Sequence, residues 1–176
     1  GKKANELGHT VLLDPVGAGA SRLRTDTANR LMQEVRFDAV RGNISEIKTL
    51  CTGSGSTKGV DADAVDAVTE ANLDDGVALV KAFARQAGCI IAVTGAIDLV
   101  SDGERCWCIR NGRAEMSRIT GTGCQLSALT TGLAGEIAWA NMQPGDGNST
   151  YRNRIIDAIF NMTGNALEEG AKYELR

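Results

Sequence analysis

The chain has 176 residues and a mass of 18.5 kDa, enough for one well-packed core and too short for two complete domains. Nineteen Lys and Arg against 22 Asp and Glu leave a net charge of −3 and a pI near 5.2, so no summed positive field is available to hold nucleic acid or an anionic lipid surface. Hydrophobic residues at 43%, charged residues at 23%, and 21 Gly beside only 2 Pro describe a folded chain with many tight turns.

Lys2 to Leu7 reads as the end of a helix stopped at Gly8, and with no initiating Met the sequence reads as lacking an upstream portion. His9 to Leu13 is a short buried-type strand that ends at Asp14-Pro15. After the glycine loop Val16 to Ser21, Ala28, Leu31, Met32 and Val35 recur at helical spacing, with Thr25 as the expected cap. Phe37 to Val40 is a second strand. Arg41-Gly42-Asn43 then leads directly into a helix from Ile44 to about Leu50. From Asp61 to Asp75 six acids and no base mark a solvated, partly helical surface. A second amphipathic helix follows, with Val77, Val80, Phe83, Ala84 and Ala87 on its buried side and Gly88 as its stop.

Cys89 to Val93 is the next buried strand, closing at Thr94-Gly95. Ile97 to Ser101 and Glu104 to Ile109 flank Asp102-Gly103, a signal for a hairpin with a two-residue turn. The stretch from Ile119 to Gly135 carries no charge and, opened by Thr120-Gly121-Thr122-Gly123-Cys124, reads as a helix buried nearly all round. Beyond the polar connection Gly145 to Thr150, the residues Ile155, Ile159, Met162, Ala166 and Leu167 mark one last amphipathic helix. Strands alternating with helices predict an α/β fold: a mainly parallel central sheet flanked by helices, with an antiparallel hairpin towards one edge, over residues 1–176 as a single, partial domain.

Five cysteines are an odd number without framework spacing, and a single His leaves no Cys/His set for zinc, which points to reduced thiols in the cytoplasm. The longest apolar runs are too short to span a bilayer, so no membrane role is expected. In a parallel sheet, ligands bind beyond the carboxyl ends of the strands, where Asp14, Arg41, Thr94 and the glycine run before Cys124 fall. Gly17-Ala18-Gly19 could cradle a phosphate, but Arg22 replaces the third glycine of a dinucleotide fingerprint and no P-loop Gly-Lys-Ser/Thr follows, so a tight turn is the better reading.

Asp14 at the sheet rim is a Mg²⁺ ligand or an Asx cap on the Asp-Pro turn. Asn43-Ile44-Ser45-Glu46 matches the capping-box spacing, which leaves metal work by Glu46 open. Arg41, just before a helix start, is not where the helix dipole favours a cation, and this tilts it from a structural salt bridge towards a phosphate partner. The glycines of Thr120 to Cys124 expose several backbone N–H groups at a helix start, suited to an anion. Cys124 in that first turn is either a base or nucleophile favoured by the dipole, or a small residue packed under a glycine turn. Cys106 and Cys108, two apart on one strand, share a face and read as packing. Nothing joins His9 to Cys124 as a hydrolase pair.

Taken in order, Leu13 to Ala20, Arg41 to Glu46, Gly59-Val60-Asp61, Thr94 to Asp98 and Thr120 to Cys124 resemble hydroxyethylthiazole kinase, a family of ribokinase-like fold. The resemblance implies ATP-dependent phosphorylation of the hydroxyl of 4-methyl-5-(2-hydroxyethyl)thiazole, a salvage step toward thiamine. It places Arg41, Asn43 and Thr94 at ATP, Asp14 and Glu46 at Mg²⁺, and Gly121 at the thiazole. Cys124 falls where most ribokinase-like enzymes carry an Asp base, with Gly123 beside it in the anion hole. It also implies a homotrimer in the full-length protein, and an N-terminal portion and a C-terminal end beyond the present residues, so the chain reads as an internal fragment. Two other readings remain open: another ribokinase-like enzyme (a hydroxymethylpyrimidine kinase or an ADP-dependent hydrate dehydratase), or an inactive truncated remnant.

Overall fold

In the computed structural model, residues 1–52, 67–115, 139–161 and 163–176 are described. A short helix α1 (Lys2–Glu6) leads to the two-residue strand β1 (Leu12–Leu13), then α2 (Arg22–Glu34), β2 (Ala39–Asn43) and α3 (Ile44–Thr52). A 3-10 turn at Glu70–Asn72 opens directly into α4 (Leu73–Ala87), followed by β3 (Ile90–Thr94), β4 (Asp98–Ser101) and β5 (Cys106–Ile109). The chain closes with α5 (Asn148–Phe160), α6 (Gly164–Gly170) and β6 (Tyr173–Leu175). The expected stops Gly8 and Gly88 both take left-handed φ, +69° and +66°.

The six strands form one sheet in the order β1-β2-β3-β4-β5-β6. β1, β2 and β3 run parallel, in a register that pairs Leu13 with Val40, Arg41 with Ala92 and Asn43 with Thr94. β4 turns back antiparallel to β3. Reciprocal bonds between the main chains of Cys106 and Arg176, at 2.7 and 2.8 Å, add β6 to the far edge beside β5. This is the α/β sheet with an antiparallel edge that the alternation of elements predicts.

By contact the chain divides into two compact units, residues 1–108 with 174–176, and residues 109–173. In the first, alternate strand residues build the core: Val40, Ile91, Val93, Leu99, Cys106 and Cys108 are buried, with Ile47 of α3 and Val80 and Phe83 of α4 packed in the same cluster. Cys106 and Cys108 are wholly buried, and burial pushes the Cys106 thiol up to about 12, so it stays protonated and acts as the small apolar residue its strand position suggests. In the second unit, Trp139 and Tyr151 meet edge to face at 5.4 Å and the Arg113 guanidinium covers the Trp139 ring.

Local expectations needed correction in four places. α2 starts at Arg22, so Thr25 is no cap; it lies in the first turn, where its hydroxyl donates to the Ser21 carbonyl and accepts from Gly19 N–H. Arg41, Gly42 and Asn43 belong to β2 itself and do not form a connection. The β4–β5 turn spans Asp102 to Arg105, because Asp102 Oδ1 accepts both the Glu104 and the Arg105 N–H and so fixes a longer loop than the dipeptide predicts. The single last helix is two, split where the Thr163 hydroxyl accepts from Ala166 N–H and starts α6 afresh. The helix expected from Ile119 to Gly135 lies outside the described residues, as do residues 53–66 of the acidic approach to α4.

Candidate active site

Three neighbouring parallel strands end side by side, and the register between them sets which residues meet at the rim. Asp14 follows β1, Arg41 lies two residues before the end of β2, and Thr94 ends β3. The Arg41 guanidinium spans the three, donating from Nη1 to Asp14 Oδ2 at 3.0 Å and from Nη2 to Thr94 Oγ1 at 3.1 Å. Its side chain is 11% exposed, and Nε is buried without a hydrogen-bond partner. A cation taken so far out of water with a donor unused is costly unless an acceptor arrives. Arg41 therefore makes the salt bridge, and its unused Nε leaves the phosphate reading of this residue open.

The next site residue comes from the abrupt junction of β2 and α3. Asn43 caps α3, its Oδ1 accepting Glu46 N–H at 2.8 Å, while Glu46 Oε2 takes Asn43 N–H at 2.8 Å, which is the reciprocal capping box. The other oxygen of Glu46 accepts Gly17 N–H at 2.8 Å, tying the loop after β1 to the start of α3. Gly42 makes room for this: a Cβ there would stand 3.1 Å from Glu46 Oε2. Within the glycine loop, Ala18 N–H goes to the Pro15 carbonyl, Gly19 N–H to Thr25 and Ala20 N–H to the Gly17 carbonyl. With Gly17 already on Glu46, the four successive donors from Gly17 to Ala20 are used inside the protein, so this stretch is a tight turn and none of those four amides is left for a phosphate. Gly17 holds φ +76°, a conformation that favours glycine.

The sequence of residues 1–143 matches the Hydroxyethylthiazole kinase family. The chain belongs to that family. Among its relatives, the hydroxyethylthiazole kinase of Clostridium acetobutylicum is 47% identical, over 99% of this chain and 71% of its own length. That of Clostridium beijerinckii is 41% identical, over 96% and 67%. The solved structure of the hydroxyethylthiazole kinase protein from Pyrococcus horikoshii OT3 superposes with a TM-score of 0.80 at 30% identity, covering 98% of this chain and 68% of its own. The family resemblance read from the motifs and the ribokinase-like α/β fold are both supported at this level of similarity.

Of the residues the family motifs single out, the structure brings Asp14, Arg41 and Thr94 into direct contact and joins Asn43 and Glu46 to each other beside them. Gly121, Gly123 and Cys124 lie outside the described residues. Two contributors lie in those motifs, but the sequence does not single them out for the contacts they make. One is the Gly17 amide on Glu46, which depends on a contact 29 residues apart in the chain. The other is Asp98, the last residue of the Thr94 to Asp98 motif, whose Oδ1 accepts Gly95 N–H at 2.8 Å.

Burial pushes the Asp98 carboxyl up to about 6, against the opposing pull of the Gly95 amide and the Arg41 charge. A carboxyl raised in the folded state binds its proton more tightly there than in the unfolded chain. Its contribution to stability therefore grows as pH falls from about 7 towards 4, and is lost as pH rises through 6. We expect Asp98→Asn to remove this slope and to raise stability near pH 7 by about 1–3 kcal/mol, since the cost of ionising the buried group disappears. Urea unfolding midpoints at pH 5, 6 and 7 check this, and an unchanged slope in the variant would refute it. Asp102 works in the opposite sense: the Arg105 backbone amide and guanidinium hold its carboxyl down at about 2, so its share is lost only under strong acid.

Proposed function

We propose that this chain transfers the γ-phosphoryl group of ATP to the hydroxyl of 4-methyl-5-(2-hydroxyethyl)thiazole, with residues 1–176 as a single, partial kinase domain. The observation that carries the reading is the Arg41 guanidinium, buried at the carboxyl ends of three parallel strands, fixed by Asp14 and Thr94 and with Nε unused. A planar, permanently charged group held in this way is pre-organised for phosphate oxygens. Arg41, the Thr94 hydroxyl and the Asn43 side chain would hold the nucleotide, and Gly121 would contact the thiazole.

The alcohol oxygen forms the new bond to phosphorus as the bond to the ADP oxygen breaks, and ADP leaves with that electron pair. The backbone amides around Gly123 would stabilise charge on the transferring group, and Cys124 would orient the alcohol and take its proton. Little covalent work falls to the protein in such a transfer, so positioning and fixed charge supply most of the acceleration.

Asp14 and Glu46 are the residues that would hold Mg²⁺. Their hard oxygens suit it: Asp14 Oδ1 has no partner among the described residues, and each Glu46 oxygen, already accepting one backbone amide, keeps a further lone pair. No group of three or more His, Cys, Asp or Glu side chains comes together among the described residues, so the fit is to an ion shared with phosphate oxygens and water, which is how Mg²⁺ is commonly bound. Bound with the nucleotide, the ion supplies neutralisation of phosphate charge. No helix among the described residues is long and apolar enough to cross a membrane. A cytoplasmic homotrimer for the full-length protein is carried by the family resemblance.

The test is a coupled assay for ADP with and without the thiazole and Mg²⁺. ADP release that depends on both is expected; a sugar or hydroxymethylpyrimidine as the better acceptor would sink the reading. In the same assay Cys124→Ser is expected to lower turnover by about a hundredfold, while Cys124→Asp keeps activity. Equal turnover of Cys124→Ala and the unaltered chain would show that the thiol only packs.

A further inference from the structure

The turn after β3 holds a carboxylate that the proposed chemistry leaves without a role. Thr94 ends β3, the chain reverses through Gly95 to Ile97, and Asp98 begins β4. The antiparallel register pairs Ala92 with Val100 and Val93 with Leu99, so Asp98 comes back alongside Thr94 itself. Asp98 Oδ1 closes the turn on Gly95 N–H, the amide that directly follows Thr94. Gly95 is exposed, and the nearest atom to a Cβ built on it is the Ile97 carbonyl at 3.7 Å, so nothing packs on Gly95 itself, while Ile97 anchors the far end of the turn in the core. A charge-assisted bond to a carboxylate is about twice as strong as one between neutral groups. That bond adds to the pairing of Thr94 with Asn43 and the 3.5 Å bond from the Thr94 hydroxyl to the Gly42 carbonyl in holding the peptide from which the Thr94 side chain meets Arg41 Nη2.

We propose that Asp98 is a positioning residue of the nucleotide site, holding the Thr94–Gly95 peptide so that the Thr94 hydroxyl and, through it, the Arg41 guanidinium stand in one arrangement before ATP arrives. The inference rests on the ATP-dependent reading given above. It follows from pre-organisation: a hydroxyl and guanidinium already fixed lose less freedom on binding than ones on a loose turn. The hydrogen bond Asp98 makes is to the Gly95 amide, so on this proposal its removal acts on ATP affinity and leaves the chemical step alone.

The experiment compares Asp98→Ala and Asp98→Asn with the unaltered chain, by steady-state kinetics and by hydrogen exchange of the Gly95 amide. Asp98→Ala is expected to raise KM for ATP about tenfold, with kcat and KM for the thiazole within about twofold. Gly95 exchange should accelerate in parallel. Asp98→Asn keeps an oxygen acceptor at the same place but without the charge, so it should recover about half of both effects. Unchanged KM for ATP in Asp98→Ala overturns the proposal, as does a fall in kcat alone or an Asn variant as impaired as the Ala one. If the unaltered chain releases no ADP, the kinase reading fails and takes this one with it. That case is told apart because Gly95 exchange would still respond to Asp98→Ala.

Discussion

Replacing Arg41 by Met is expected to lower kcat/KM for ATP by about a hundredfold to a thousandfold, the scale seen when a fixed donor aimed at developing charge is removed. The loss has two parts. The phosphates lose a buried cation, and Asp14 and Thr94 lose the group that holds them in line. Asp14 is then left with a negative charge and no counter-ion at a site only 26% exposed, so stability should fall as well. Arg41→Lys separates the parts: its ammonium restores charge, but a single nitrogen cannot span both Asp14 and Thr94 as the planar fork does, so activity should return only in part. Initial-rate kinetics at varied ATP, beside urea unfolding of each variant, measure the two losses independently. An Arg41→Met chain with unaltered KM and kcat would remove Arg41 from the nucleotide site.

Glu46→Ala is expected to cost about 2–4 kcal/mol of folding free energy, because it strands the Gly17 and Asn43 amides together. Both oxygens of this buried side chain accept backbone donors, one from the loop after β1 and one from the last residue of β2. Glu46→Gln keeps one oxygen acceptor and turns the other into a donor, so it can satisfy only one of the two amides and should recover about half of the loss. Urea denaturation midpoints check the order Glu, Gln, Ala. Equal midpoints for all three would mean that the amides find other partners. Because Glu46 also pins the loop that carries Asp14, the Gln variant should lose ATP-dependent activity out of proportion to its stability.

The sequence by itself determined the alternation of elements, because each was written in local chemistry. The period of Val77, Val80, Phe83 and Ala84 gives the buried face of α4 and the stop at Gly88 its end, though its start at Leu73 lies in the stretch that reads as acidic surface; Cys89 to Val93 places β3 to within one residue. The capping-box spacing of Asn43 and Glu46 likewise needs only neighbours in the chain, and it forms as read. The short motifs located the strand ends where Asp14, Arg41 and Thr94 meet for the same reason: strand ends are local events, and in a parallel sheet they gather on one side.

What only the tertiary structure decided are contacts between segments far apart in sequence. Nothing in Asp14, Arg41 or Thr94 read singly says that one guanidinium joins all three; that follows from the register of β1, β2 and β3. The donors of Gly17 and Gly19 are spent on Glu46 and Thr25, which settles the loop as a turn, and no count of glycines could have done so. β6 escaped the reading because Tyr173–Leu175 has three residues and no periodicity to detect, and it becomes a strand only by pairing its main chain with β5. A side chain's neighbours in its own segment are fixed by covalent spacing, whereas its partners across the sheet are fixed by register, which belongs to the packed fold and not to any one strand.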